Sequence, residues 1–115
     1  MKVLVVGSRS IRQFDLSPYI PAETDLIISG GAKGIDALAE AYADAHKISK
    51  LILRPQYARY GKGAPLRRNE EMVDIADRVL IIWDGHSKGT QYTMRDAEKK
   101  GKPISLVVLD EEERA

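Results

Sequence analysis

The chain has 115 residues, which is enough for one domain with a buried core and too few for two. Hydrophobic residues make up 43% and charged residues 30%, so the composition is that of an ordinary globular protein rather than a disordered one. A net charge of +1 does not favour nucleic acid as the default partner, and the lack of cysteine excludes disulfides and thiolate metal sites. No apolar run is long enough for a signal peptide or a membrane span. We therefore expect a single cytoplasmic domain over residues 1–115, without membrane contact, metal or cofactor.

Five short segments rich in leucine and β-branched residues are typical of buried strands. In chain order they cover residues 2–6, 26–29, 51–53, 79–83 and 104–109. Between the first two, a weak pattern in residues 11–21 predicts a short helix, capped by Asp15 or Ser17, with Pro18 in its first turn. Residues 110–115 form a charged tail that we expect to fray.

Three further helices are predicted from apolar residues at helical spacing. The first begins near Ile35, the second has Pro65 in its first turn, and the third follows Ser87 as a candidate cap and ends near Lys100. The inward positions of the second are expected to be Leu66, Met72, Val73 and Ala76.

Alternating strands and helices predict an α/β fold, a parallel sheet of about five strands with helices on both faces. Ligands of such sheets bind outside the carboxyl ends of the strands. The loops at Gly7, Gly30, Arg54 and Asp84 all follow strands, so we expect them to meet at one crevice.

The first glycine-rich loop lies between the second strand and its helix, at residues 29–36. Its glycines permit close backbone approach, and the helix start that follows attracts anions, so the loop is typical of a phosphate site. It lacks the Walker signature and a clean dinucleotide fingerprint. Asp36 is interpreted as a dipole partner or hydrogen-bond anchor rather than a base. The candidate ligand residues here are Ser29, Gly30, Gly31, Ala32, Lys33, Gly34 and Asp36.

A second glycine-rich loop follows the fourth strand at residues 84–90. Asp84 is a candidate acceptor for a ribose hydroxyl, or simply a solvated carboxylate at a strand end. Trp83 is a candidate for stacking on a base, although a core position is the commoner role. Lone His86 has no second metal ligand at a suitable spacing. The candidate ligand residues are Trp83, Asp84, Gly85, Ser87, Lys88, Gly89 and Thr90.

The segment of residues 54–68 carries five basic residues and no acid. It is interpreted as an irregular loop that closes over an anionic ligand, with Arg68 and Asn69 as its fixed part, or as an exposed charged loop. If the protein cleaves a glycosidic bond, Arg68, Glu71 and Asp84 are the candidate catalytic residues, with Glu71 preferred over Glu70.

Four stretches, residues 7–9 (Gly7, Ser8 and Arg9), 29–36, 68–72 and 85–90, resemble the Smf/DprA and Lonely-Guy (SLOG) superfamily, in particular its small stand-alone members related to the YspA group. The resemblance implies a Rossmann-like fold, a site for a nucleotide or nucleotide-derived ligand such as AMP or ADP-ribose with its phosphate on the two glycine loops, and a homodimer or higher homo-oligomer.

Two branches of the superfamily imply different activities. Gly89 and Thr90 match the Gly-Thr pair of Lonely-Guy phosphoribohydrolases and Arg68 matches their catalytic arginine, but the position of their glutamate falls on Thr93. The DNA-processing branch shares the core of residues 29–36 and binds single-stranded DNA. We expect nucleotide binding, as a sensor or signalling module, with N-glycosidic hydrolysis and single-stranded DNA binding through residues 54–68 as alternatives.

Overall fold

A computed structural model describes residues 1–109, and the predicted tail at residues 110–115 lies outside them. The strands are β1 (Lys2–Gly7), β2 (Leu26–Ser29), β3 (Ser49–Ile52), β4 (Arg78–Trp83) and β5 (Ile104–Val108). The helices are α1 (Ile35–Ala45), α2 (Tyr57–Tyr60), α3 (Ala64–Ile75) and α4 (Lys88–Lys99), with a short 3₁₀ helix at Gly61–Gly63. All strand pairs are parallel, in the order β3-β2-β1-β4-β5. The predicted Rossmann-like α/β fold is confirmed.

The central strands are buried on both faces because their side chains alternate between two apolar layers. Val3 and Val5 of β1 belong to a cluster that contains α1, whereas Leu4 and Val6 pack with Met72 of α3 and with α4. Helices therefore cover both faces of the sheet. In the described part of the chain, no helix has the length and apolar character needed to cross a membrane.

Residues 11–21 do not form the predicted helix. They form neither helix nor strand, and Tyr19 N and Ile20 N both donate to Leu16 O in a turn. Just before this turn the Asp15 carboxylate accepts a hydrogen bond from Ser17 N at 3.0 Å. Ile11, Leu16 and Ile20 are nevertheless buried against the α1 face of the sheet. The predicted helix is therefore wrong, because Pro18 and Pro21 leave too little uninterrupted chain for one.

The basic segment at residues 54–68 is also more regular than predicted. It contains α2, the 3₁₀ helix and the first turn of α3, which places Pro65 at a helix start as expected. Leu66, predicted to face inward, is 39% exposed. Its position on the first turn of α3 lies beyond the apolar layer that buries Met72 and Val73.

Gly7 ends β1 at a point where α1 comes close to the sheet. A Cβ at this position would collide with Ile82 O and would lie 2.6 Å from Ile35 Cγ1. The absence of a side chain therefore lets the first turn of α1 rest on the carboxyl end of the central strand, which fixes one wall of the crevice described next.

Candidate functional site

A crevice of about 480 Å³ opens at the carboxyl ends of the central strands. Each of the four stretches singled out in the sequence contributes to its lining, as expected from the parallel sheet. The predicted residues that line it are Gly7, Arg9, Ala32, Asp36, Arg68, Asn69, Asp84, Ser87, Gly89 and Thr90. Further lining residues, which were not predicted to contact a ligand, are Val6, Ser10, Pro65, Leu66, Met72 and Thr93.

The first glycine loop is held together by its own backbone and side chains. Gly31 N donates to Ser29 Oγ at 3.2 Å, and Ala32 N donates to Asp36 Oδ2 at 3.1 Å. Asp36 therefore anchors the loop through a hydrogen bond, one of the two roles expected from the sequence. Only Ala32 and Asp36 of this loop line the crevice, and the other candidates, Ser29, Gly30, Gly31, Lys33 and Gly34, do not.

The start of α1 is covered by the loop after β1. Ile35 N donates to Ser8 O at 3.4 Å, and a Cβ at Gly34, which has φ +72°, would lie 2.6 Å from Arg9 O. The helix start is thus packed under residues 8–9. This arrangement explains Gly34 by close backbone approach rather than by contact with a ligand.

Asp84 joins the loop after β4 to the loop after β1. Its Oδ1 accepts hydrogen bonds at 2.8 Å from the backbone N–H groups of both His86 and Ser87. Ser8 Oγ accepts a bond from Asp84 N at 2.9 Å, and Ser10 Oγ donates to Asp84 Oδ2 at 3.2 Å. Partial desolvation opposes ionisation of Asp84, but the bonds from His86 and Ser87 outweigh it and hold its pKa well below the usual range.

The amino-terminal end of α4 faces the crevice through Gly89 and Thr90. Ser87 occupies the cap position, but its hydroxyl lies 3.0 Å from Asp84 Oδ1 and makes no capping bond to the helix, contrary to expectation. A Cβ on Gly89 would meet no atom within 4 Å. Thr90 is only 7% exposed, yet its hydroxyl makes no hydrogen bond to any residue in the range 1–109. Helix N–H groups and one hydroxyl are thus available to an anion here.

Arg68 reaches from α3 to the first glycine loop. Its Nη1 donates to Gly30 O at 2.6 Å and to Leu53 O at 3.3 Å, and its Nε donates to Asn69 Oδ1 at 2.8 Å. Burial lowers the pKa of Arg68, and the nearby Asp36 carboxylate raises it. Because Nη2 makes no hydrogen bond within residues 1–109, this guanidinium still has donors for a ligand.

Arg9 is exposed at the rim of the crevice. Its guanidinium makes no hydrogen bond or ion pair with the part of the chain that the structure describes. Arg68 and Arg9 both act electrostatically on the Asp36 carboxylate, as does the carboxylate of Glu40.

Asp36 itself is only 8% exposed. Burial raises its pKa, as does the nearby Glu40 carboxylate to a smaller extent, and the hydrogen bond from Ala32 N and the charges of Arg68 and Arg9 oppose that rise. No ion pair within 4 Å involves Asp36 among residues 1–109, and its Oδ1 accepts no hydrogen bond from them.

Several predicted residues lie outside the crevice. Trp83 is half-buried against the α3 and α4 side of the sheet, and its Nε1 donates to Ser87 O at 3.0 Å, so it braces the second loop. Glu71 lines a separate charged groove between α3 and α4, apart from Arg68 and Asp84. Ser8, Gly85 and Lys88 also do not line the crevice, although Ser8 supports Asp84.

Three other cations of the basic segment make contacts outside the crevice. Arg59 and Arg67 lie over the ring of Tyr60, at 5.1 and 5.2 Å from its centre, and Arg54 Nη1 donates to Gly31 O at 3.4 Å. Only Arg68 of the five basic residues at 54–68 lines the crevice. Across residues 1–109, no group of three or more histidine or acidic side chains is arranged to hold a metal ion.

Thr93 and Met72 are crevice residues that sequence reasoning did not select as ligand contacts. Both sit one helical turn or more inside α4 and α3, and Thr93 Oγ1 donates to Gly89 O at 3.0 Å. Helical spacing from Gly89 and from Arg68 was the available signal, because residues four positions apart share a helix face.

No protein-family model matches this chain, and no solved structure does. One curated protein is similar over almost its whole length, the Gene 61 protein of Mycobacterium phage D29. It is 34% identical to this chain over 120 aligned residues, which cover 90% of this chain and 93% of the phage protein. Because of this near full-length similarity, the chain belongs to the family of the phage D29 Gene 61 protein.

Proposed function

We propose that the protein binds a nucleotide or a nucleotide-derived molecule, such as AMP or ADP-ribose, in the crevice at the carboxyl end of the sheet. The observation that carries the proposal is the open start of α4. There Gly89 leaves space, and Thr90, a residue only 7% exposed, has a hydroxyl without a partner among residues 1–109. A phosphate at this end would accept hydrogen bonds from N–H groups and gain from the helix dipole.

The first glycine loop has a different role in this proposal from the second. Its N–H groups at Gly31 and Ala32 are already bonded, and its carbonyl at Gly30 holds Arg68. It therefore acts as the wall that supports Arg68 and Asp36, whereas α4 supplies the phosphate site. Arg9 at the rim adds a second cation for the same anion.

Membership of the SLOG superfamily is part of the proposal and rests on the sequence resemblance described above. The proposal also includes a sensor or signalling role, a cytoplasmic location and a homodimer. Nucleic acid is a less favoured partner, because the cations at residues 54–68 other than Arg68 lie away from the crevice or over Tyr60.

Hydrolysis of an N-glycosidic bond receives less support from the geometry. Glu71 lies in another groove, and Thr93, at the position of the glutamate in Lonely-Guy enzymes, uses its hydroxyl on Gly89 O. Asp84 lines the crevice, but its Oδ1 is committed to two N–H groups of its own loop.

The test is calorimetric titration with AMP, ADP-ribose and NAD, for the natural chain and for Gly89→Asp. The natural chain is expected to bind at least one of them saturably. The aspartate would fill the open space and place a negative charge where the phosphate binds, so binding should fall by at least ~100-fold. Because an acid in the first turn favours the helix dipole, the variant should remain folded.

Gly63→Asp is the matched control. Gly63 also lies at a helix start, and a Cβ added to it would meet no atom within 4 Å, but it does not line the crevice. This variant should bind like the natural chain. Failure of all three ligands to bind at millimolar concentration would refute the function, and equal losses in both variants would refute the location.

A further inference from the structure

The Asp36 residue is largely buried, but only one of its two carboxylate oxygens has a hydrogen-bond partner among the described residues. It is 8% exposed, accepts one hydrogen bond from Ala32 N, and has no cation within 4 Å among the described residues. A buried charge without an ion pair costs free energy unless hydrogen bonds satisfy its oxygens. Its second oxygen, Oδ1, has no donor from residues 1–109, and Asp36 lines the crevice.

The surroundings of Asp36 decide what kind of donor fits there. Arg68, Glu40 and Arg9 all act on the ionisation of Asp36, in that order of strength. The two guanidinium groups balance the Asp36 and Glu40 carboxylates in formal charge, so a ligand ammonium gains no net charge attraction here. A neutral hydroxyl fits better, because it donates to a carboxylate and also accepts from a guanidinium, whereas an ammonium only donates.

A neutral amino group on a base is a weaker match. It donates to a carboxylate, but its nitrogen is a poor acceptor and gains nothing from the second arginine nitrogen. A pair of neighbouring sugar hydroxyls supplies both a donor and an acceptor. The start of α4 and Asp36 of α1 line the same crevice. A ligand that carries both a phosphate and sugar hydroxyls could therefore contact both.

We infer that Asp36 is a specificity-determining residue, which accepts a hydrogen bond from a sugar hydroxyl of a phosphorylated ligand whose phosphate rests on the start of α4. The ligand class is then a ribose phosphate, such as a ribonucleotide, in preference to its deoxy counterpart. This inference rests on the proposed nucleotide site and adds to it the part of the ligand that Asp36 recognises.

The test is titration of the natural chain with AMP, 2′-deoxy-AMP, 3′-deoxy-AMP and purine riboside 5′-monophosphate, which lacks the amino group of AMP. The affinity for at least one deoxy compound should be lower than that for AMP by about tenfold or more, because the lost hydrogen bond has a charged acceptor. The riboside lacking the amino group should bind like AMP.

Asp36→Asn and Asp36→Ala then assign the effect to the carboxylate. Asparagine retains an oxygen for Ala32 N, and alanine removes both oxygens. Both variants should bind AMP about tenfold more weakly than the natural chain and should lose most of the preference for AMP over the sensitive deoxy compound. Glu71→Gln, in the separate groove, should keep that preference in full.

The outcomes separate this inference from the function on which it rests. If AMP and its relatives all fail to bind, the nucleotide site itself is wrong. If AMP and both deoxy compounds bind equally, or if only the missing amino group weakens binding, nucleotide binding stands and the sugar contact is refuted. Retention of the full preference in both Asp36 variants would also refute it.

Discussion

Asp84 shows how a single carboxylate can hold two loops in place. It closes its own turn through the N–H groups of His86 and Ser87, and it is bonded to the loop after β1 through Ser8 and Ser10. Hydrogen bonds to a charged acceptor are stronger than neutral ones. The start of α4 is therefore positioned by a network that depends on ionisation of one residue.

The replacement Asp84→Asn should lower the free energy of unfolding at pH 7 by about 2 kcal/mol, because a charged acceptor is lost. The folded-state pKa of Asp84 lies below its ordinary value of 3.8, so its stabilisation is present above pH 3.8 and is lost as the pH falls through the folded-state value. Urea unfolding of both proteins between pH 7 and pH 2 measures this.

The difference between the two proteins should be constant at neutral pH and should shrink below about pH 4. Asp36, whose pKa is raised, titrates in both proteins and cancels from the difference. A gap between the two curves that stays unchanged down to pH 2 would contradict the assignment of the low pKa to Asp84.

At the scale of elements, the glycines that follow the central strands differ in what they do. Gly7 and Gly34 lie under close contacts with Ile35 and with the backbone of residues 8–9. Gly89, within the first turn of α4, borders open space. The first group is required for packing of α1, whereas no contact among residues 1–109 requires glycine at position 89.

Alanine substitution distinguishes the two groups. Gly7→Ala should lower the free energy of unfolding by about 3 kcal/mol, because its methyl group would collide with Ile82 O and the Ile35 side chain. Gly89→Ala should instead raise it by up to about 1 kcal/mol, the helix preference of alanine over glycine.

Urea unfolding at pH 7 measures both alanine variants. Gly63→Ala, at the cap of α3 with nothing near its added methyl, is a control for the change of residue type alone. Similar losses for Gly7→Ala and Gly63→Ala would show that α1 does not need the close approach at Gly7.

At the scale of the whole molecule, the sheet separates two apolar layers. Ile82 packs with α1 and residues 11–20, while its neighbour Ile81 packs with α3 and α4. Both are completely buried. Because alternate residues of a strand point to opposite faces, neighbours in sequence belong to different parts of the core.

Because the two layers are separate, substitutions in different layers should have additive effects on the free energy of unfolding. Ile81→Val and Ile82→Val should each cost about 1 kcal/mol of the free energy of unfolding, and the double variant should equal their sum within about 0.5 kcal/mol. Ile82→Val combined with Ile35→Val, which share one layer, should deviate from additivity by more than that. A larger deviation for the first pair than for the second would contradict the two-layer description.

Much of the fold was determined by the sequence alone. The apolar strand segments, Pro65 at a helix start and the predicted helix end near Lys100 specify the sheet and three helices through local properties of the chain, namely burial pattern and backbone conformation. The meeting of the four stretches at one crevice also followed, since parallel strands end on the same side of a sheet.

Tertiary structure decided which of those residues face the crevice. In the sequence, the glycines of the two loops look alike. In the structure, Gly89 borders open space, whereas Gly30 and Gly31 leave room for the side chains of Arg68 and Arg54. Asp36 and Glu71 are both acids on helices, yet one is buried beside the crevice and the other lies in a separate groove. These differences arise from contacts between segments far apart in the chain. Local sequence patterns do not determine such contacts, so they could not be predicted from the sequence.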